Sequence, residues 1–160
     1  KELINFISDL KNTNFIFTMP NADPENKFIF ELINDFVEKN DNAFSFNSLG
    51  QLRYLSLIKY IDAVLGNSSS GLLEVPFMKK PTINIGERQK GRLKAKSVVD
   101  CEANYNSLEI AFKKIFSKEF QLDLKNVVSP YGNPGASKKI ATILRNYDFK
   151  NILKKQFYDL

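Results

Sequence analysis

VLGNSSSGLLEVPFMKKPTINIGERQKGR occupies residues 64–92. It opens on two apolar residues, turns at Gly66, and passes three serines before a short apolar stretch that carries Glu74. A second apolar segment follows, PTINIG at residues 81–86, and then a basic loop. Strand, tight turn, short helix and strand in that order make a βαβ unit, which predicts two parallel strands joined by a right-handed crossover.

The same alternation extends in both directions. Leu3, Phe6, Ile7 and Leu10 recur at helical spacing, and NFIFTM (residues 14–19) has the length of a strand. PNADPEN is a loop in which Asp23 suits an N-cap and Pro24 the first helical position. Phe28, Leu32, Ile33, Phe36 and Val37 form the stripe of the next helix. NAFSFN (residues 42–47) alternates as a strand, and Ser48 is expected to cap a helix through Lys59. IDAVLG (residues 61–66) is the strand that enters the serines, and a short helix is expected over residues 71–78. SVVDC (residues 97–101) is a weaker strand, and helices are expected over residues 107–116 and 136–147, the last after the turn SPYGNPG. The pattern predicts an α/β fold, a three-layer Rossmann-like parallel sheet with helices on both faces. Residues 1–147 are read as one nucleotide-binding domain and residues 148–160 as a helical tail carrying Phe149, Ile152, Leu153, Phe157 and Tyr158.

Composition excludes several classes of function. The chain has 160 residues, one cysteine and no histidine. A Ser–His or Cys–His nucleophile pair is therefore impossible within it, and the commonest zinc ligand is missing. No metal site and no cofactor is expected. Cys101 has no disulfide partner and is read as a small buried hydrophobe, which fits a reducing cytoplasm. No apolar run approaches the roughly 20 residues that span a bilayer. The net charge of +5 suits an anionic ligand. The lysines are scattered rather than gathered in a stripe with aromatics, which argues against nucleic acid.

In an open parallel sheet, ligands bind beyond the carboxyl ends of the strands. Ser68, Ser69 and Ser70 fall there, at the start of a helix whose unpaired N–H groups and dipole favour an anion. With Ser70 as N-cap, Glu74 is the fourth helical residue, one turn from the serines and placed to accept hydrogen bonds from a ribose diol. Phosphate at the serines and ribose at Glu74 together describe a nucleotide. The alternative is simple capping. A capping box, however, needs Glu or Gln three residues after the serine, and Leu73 stands there. GNSSSG is neither a P-loop, nor Gly-x-Gly-x-x-Gly, nor a Gly-x-Ser-x-Gly elbow. Both readings remain open on these residues alone.

GNSSSGLLEVPFMKKPTINIGERQKGR, together with MPNAD (residues 19–23) and SPYGNPGASKKIATIL (residues 129–144), resembles the C-terminal domain of the hydrolysing UDP-N-acetylglucosamine 2-epimerases of sialic and related nonulosonic acid biosynthesis. The resemblance covers nearly the whole chain. It implies the C-terminal, UDP-holding half of a GT-B fold, in which two Rossmann-like halves close over a sugar nucleotide. It also implies roles by position. Ser68 and Ser69 would contact the diphosphate, Ser70 would complete the turn, and Glu74 would hold the ribose. Arg88 would lie near the nucleotide, Asn21 would reach the ligand from the earlier loop, and Leu49, with the segment from Phe46, would lie against the uracil. Without the resemblance, Asn21 reads as an Asx-turn residue and Arg88 as a solvated loop residue.

The chemistry implied is anti elimination of UDP to a 2-acetamidoglucal, then addition of water to give N-acetylmannosamine. The family draws its acid–base groups from an N-terminal half and a histidine. Neither stands in these residues, so no catalytic residue is assigned. The chain, which lacks an initiator Met, is expected to be a fragment that binds UDP or UDP-N-acetylglucosamine and does not turn it over. Its expected partners are the absent N-terminal domain and a homo-oligomeric copy, with no nucleic acid and no membrane. Alternatives are a non-hydrolysing 2-epimerase, a GT-B glycosyltransferase, an epimerase of a GDP-linked sugar, and a non-catalytic nucleotide-binding or partner domain.

Overall fold

The structure, a computed structural model, describes residues 1–20 and 26–150. The elements run α1 (Glu2–Ser8), β1 (Phe15–Thr18), α2 (Lys27–Lys39), β2 (Ala43–Phe46), α3 (Gly50–Tyr60), β3 (Val64–Gly66) and α4 (Ser70–Leu73). A 3₁₀ turn (Val75–Met78) precedes β4 (Thr82–Ile85) and β5 (Val98–Cys101). Then come α5 (Tyr105–Ile115), α6 (Lys118–Asp123), a second 3₁₀ turn (Leu124–Asn126) and α7 (Ala136–Asn146).

Every described strand pair is parallel. The expected α/β architecture is present, with its ladder hydrogen bonds in two groups, β1–β2 and β3–β4–β5. One apolar core joins the two groups. It contains Phe6 and Ile7 of α1, Phe36 of α2, Ala43 of β2, Ile83 of β4, Val99 of β5 and Leu108, Ala111 and Ile115 of α5. Phe6 meets Tyr105 and Phe112 edge-on, each with ring centroids 5.6 Å apart, and Phe36 meets Phe15 and Phe17 in the same manner. Such edge-to-face pairs add to area burial, and they orient α1 against α5 and α2 against β1.

β4 is buried on both faces, as the central strand of a covered parallel sheet requires. Successive side chains point to opposite sides. Ile83 therefore faces the α1–α2–α5 core, while Thr82 faces Gly71 of α4. Helices thus cover both faces, and the serine turn sits at the carboxyl end of β3, beside that of β4.

The helix expected over residues 71–78 is divided. α4 is a single turn, and a 3₁₀ turn replaces its continuation. Pro76 is the cause: it has no N–H to donate, and its ring clashes with the carbonyl four residues back. α6 lies where no helix is expected from the sequence; Ser117 caps it by accepting from the Phe120 N–H at 3.3 Å. The expected cap of α2 at Asp23 and Pro24, and most of the tail at residues 148–160, lie outside the described residues. α7 forms as expected, and none of its residues is buried.

Candidate functional site: the serine turn and its braces

β3 and β4 pair in register, with Gly66 opposite Asn84. Each chain then leaves the sheet at a glycine with positive φ, Gly66 at 150° and Gly86 at 74°. In this range glycine is the residue that turns without steric penalty. Two loops consequently leave neighbouring strand ends together, one carrying the serines and the other Arg88 and Gln89.

The N-cap of α4 is Ser69, not Ser70, and its side chain makes no capping hydrogen bond. That removes the capping explanation for Ser69. Ser68 Oγ accepts from the Ser70 N–H at 3.3 Å, closing a small side-chain turn. Ser70 Oγ lies 2.6 Å from the Tyr54 hydroxyl on α3. The amides of Gly71 and Leu72 donate to the carbonyls of Ser68 and Ser69, and those of Leu73 and Glu74 to the carbonyls of Ser69 and Ser70. The N–H groups of Ser68 and Ser69, and the Ser69 hydroxyl, have no acceptor or donor partner among the described residues. A helix of one turn has little macrodipole, so the dipole expected from the sequence is weak here, and the donors on offer are these N–H and hydroxyl groups.

Glu74 closes α4, its N–H donating to the Ser70 carbonyl at 2.9 Å, and its side chain is exposed. One helical turn thus separates the carboxylate from the serine donors, as expected. Tyr54 is half-buried. Burial pushes its phenol above the ordinary pKa; the Ser70 hydrogen bond opposes the shift, and the Glu74 charge adds to it. Tyr54 accordingly keeps its proton, and its hydrogen bond to Ser70 joins α3 to the serine turn.

Arg88 is exposed and enters no ion pair among the described residues. Its neighbour Gln89 is 3% exposed, and Gln89 Nε2 donates to the Asn67 carbonyl at 2.7 Å. This bond ties the basic loop to the serine turn. Further along, Lys94 Nζ meets both Asp100 carboxylate oxygens at 2.7–2.8 Å, and Asn84 Nδ2 donates to Asp100 Oδ1 at 2.7 Å. Burial pushes the Asp100 carboxyl up, but the Lys94 and Asn84 hydrogen bonds and the Lys94 charge prevail, leaving its pKa below the usual value.

Leu49 stands just before α3 and borders a shallow, open hollow on the surface, lined by Ile16, Phe46, Leu52 and Leu57 together with Arg53 and Tyr60. The structure therefore brings together Ser68, Ser69, Ser70 and Glu74, joins the Arg88 loop to them through Gln89, and places Leu49 at the N-cap of the helix that carries Tyr54. Asn21 lies outside the described residues. Cys101 is half-buried against the core, and burial pushes its thiol pKa up, as suits an unreactive packing residue. Tyr54 and Gln89 are not among the site residues expected from the sequence; Tyr54 lies within the helix expected through Lys59, and Gln89 follows Arg88 in the GERQKGR stretch that carries the resemblance. Among the described residues no helix is long and apolar enough to cross a membrane.

Residues 1–145 match the family model of UDP-N-acetylglucosamine 2-epimerase. The chain belongs to that family. Among relatives of this epimerase family, the chain is 46% identical over its whole length to a Campylobacter jejuni protein named GDP/UDP-N,N'-diacetylbacillosamine 2-epimerase (hydrolyzing), of which it covers 42%. It is 36% identical to polysialic acid biosynthesis protein P7 of Escherichia coli, covering 99% of the chain and 41% of that protein. The chain therefore spans less than half the length of the relatives it matches. Two solved epimerase-family structures share its fold. The S. aureus MnaA–UDP co-structure aligns with a TM-score of 0.71 at 17% identity, over 91% of the chain and 40% of the other. The UDP-GlcNAc 2-epimerase of Neisseria meningitidis bound to UDP-GlcNAc aligns at 0.68 and 18% identity, over the same shares.

Proposed function

We propose that this chain is the nucleotide-holding, C-terminal half of a hydrolysing nucleotide-sugar 2-epimerase that converts UDP-N-acetylglucosamine, or a closely related 2-acetamido sugar nucleotide, to the free 2-epimeric sugar and UDP. The observation that carries this is the set of unpartnered donors at Ser68 and Ser69, one helical turn from the exposed Glu74 carboxylate, in a chain 46% identical to a hydrolysing relative.

In this reading the amides and hydroxyls of Ser68 and Ser69 hold the diphosphate, and Arg88 adds positive charge from the neighbouring loop. Glu74 accepts from the ribose diol, and Leu49 packs on the base. Negative charge grows on the diphosphate as its bond to the sugar breaks, so fixed donors there stabilise the leaving group. The acid–base groups come from the other half of the protein. Each such group contributes about 10²–10⁴-fold, so the 160-residue chain binds without turning over. Its partners are UDP, that other half, and a second copy in a homo-oligomer. The lone cysteine suits a cytoplasmic setting.

The relative's name favours one refinement, a sugar with two acetamido groups carried on UDP or GDP. The test is calorimetric titration of the full gene product with UDP, GDP and CMP, followed by product analysis. Tightest binding of UDP and release of a free 2-epimeric sugar are expected. A product still linked to the nucleotide would make the enzyme non-hydrolysing, and tighter binding of GDP would change the carrier. Release of UDP by residues 1–160 alone, above a matched blank, would refute the division of labour.

A further inference from the structure

We infer that the serine turn is held for its ligand by a two-point clamp, in which Gln89 and Tyr54 are positioning residues that fix Asn67 at the entry to the turn and Ser70 at its exit. The inference rests on the nucleotide reading of the turn. Residues 67–70 leave β3 at a glycine and end in a helix of one turn, so little regular structure runs through them. Two side chains on other elements add fixed points within the turn. Gln89 reaches from the loop after β4 to the Asn67 carbonyl at 2.7 Å. Tyr54 reaches from α3 to Ser70 Oγ at 2.6 Å.

The burial of Gln89 shows that its bond matters. At 3% exposure its Oε1 has no partner among the described residues, so the side chain keeps an acceptor away from water for the sake of the bond through Nε2. An apolar side chain of the same length would fill the space without that penalty. Gln89 is also adjacent to Arg88, so the same bond sets the distance between the Arg88 loop and the serine donors. At the other end the Tyr54 and Ser70 hydroxyls share one hydrogen bond in which either can donate, and in both senses the Ser70 oxygen is held in place. The unpartnered amides of Ser68 and Ser69 lie between the two fixed points. Donors fixed before the ligand arrives lose less freedom when it binds.

The experiment uses the full gene product and the variants Tyr54→Phe and Gln89→Met. Each is titrated with UDP and with uridine, which has the base and ribose but no phosphate, and melted in parallel. Loss of one preorganising hydrogen bond is expected to weaken UDP by about tenfold in each variant and to leave uridine unchanged. Equal weakening of UDP and uridine, tracking a fall in Tm, would show a merely structural role and overturn the clamp. Unchanged UDP affinity in Tyr54→Phe, which removes a single oxygen, overturns it even where Gln89→Met does not fold. Wild-type protein that binds neither ligand would refute the nucleotide reading and the clamp with it; wild-type binding with unaffected variants refutes the clamp alone.

Discussion

Replacing Gly71 with alanine tests how tightly the serine turn is seated on the sheet. Gly71 is buried in α4, and a Cβ built there would lie 2.6 Å from Thr82 Cγ2 and 3.4 Å from Thr82 Oγ1. Its backbone angles are ones that alanine adopts freely, so the glycine is required by contact alone. Thr82 has little room to yield. It is 2% exposed, β-branched, and held by its own hydrogen bond from Oγ1 to the Gly71 carbonyl at 2.9 Å. Overpacking of this kind costs about 1–3 kcal/mol. Losing the Thr82 bond adds about 0.5–1.5 kcal/mol. The better helix propensity of alanine offsets up to about 1 kcal/mol. The net expectation is about 2 kcal/mol of destabilisation, a fall of about 1 M in the urea midpoint for a domain of this size. Adding Thr82→Ser should largely reverse it, because that change removes the clashing methyl and keeps the hydroxyl. A Gly71→Ala midpoint equal to or above wild type would refute the packing argument, as would a double variant no better than the single one.

Three further outcomes follow from the same contacts. Glu74→Ala, at an exposed position, should leave thermal stability nearly unchanged and weaken UDP by about 10–100-fold in calorimetry, the worth of a charged hydrogen bond. Asp100 has a folded pKa below its unfolded one, so it contributes stability above the unfolded value near 4 that is lost as pH falls through the folded pKa; Asp100→Asn should flatten that acid limb in urea titrations from pH 6 to 2. The effect will be modest, since the Asp100 side chain is 55% exposed and its pair with Lys94 is screened. Ser97 is fully buried with no partner for its Oγ among the described residues, so Ser97→Ala should be neutral or stabilising by up to about 1 kcal/mol, and a clear loss would reveal an unseen partner for that oxygen.

The parts of the fold legible in the sequence were those set by near neighbours. Val64 and Leu65 before Gly66, and the TINI run before Gly86, show the paired strands and their exits through apolar run and glycine alone. The position of the serines at the start of a short helix just past a strand exit was legible in the same way. Which serine caps α4, and which is braced, was not. Ser70 is answered by Tyr54, 16 residues away, and Asn67 by Gln89, 22 residues away. Those pairs exist only once α3 and the loop after β4 have been brought to the end of β3. Pro76 was visible, yet its effect in dividing the helix was missed because the apolar spacing runs on across it. α6 was missed because six residues are too few for a period to declare itself; the Ser117 cap was its one local sign.

α7 gives the chain a graded rather than a single stability. It has 11 residues, all of them exposed, among them Ile140, Ile143 and Leu144 at 52–62%. Isolated helices shorter than about 12–15 residues are marginal in water, and packing is what ordinarily sustains them. Backbone amides in residues 136–146 should therefore exchange through local fraying at small free energy, while those of β4 exchange only when the core opens. A melt followed by helix dichroism would begin before one followed by the Phe6–Tyr105–Phe112 cluster. For this chain, stability is two quantities, one for the sheet and its covering helices and another for the helix that follows them.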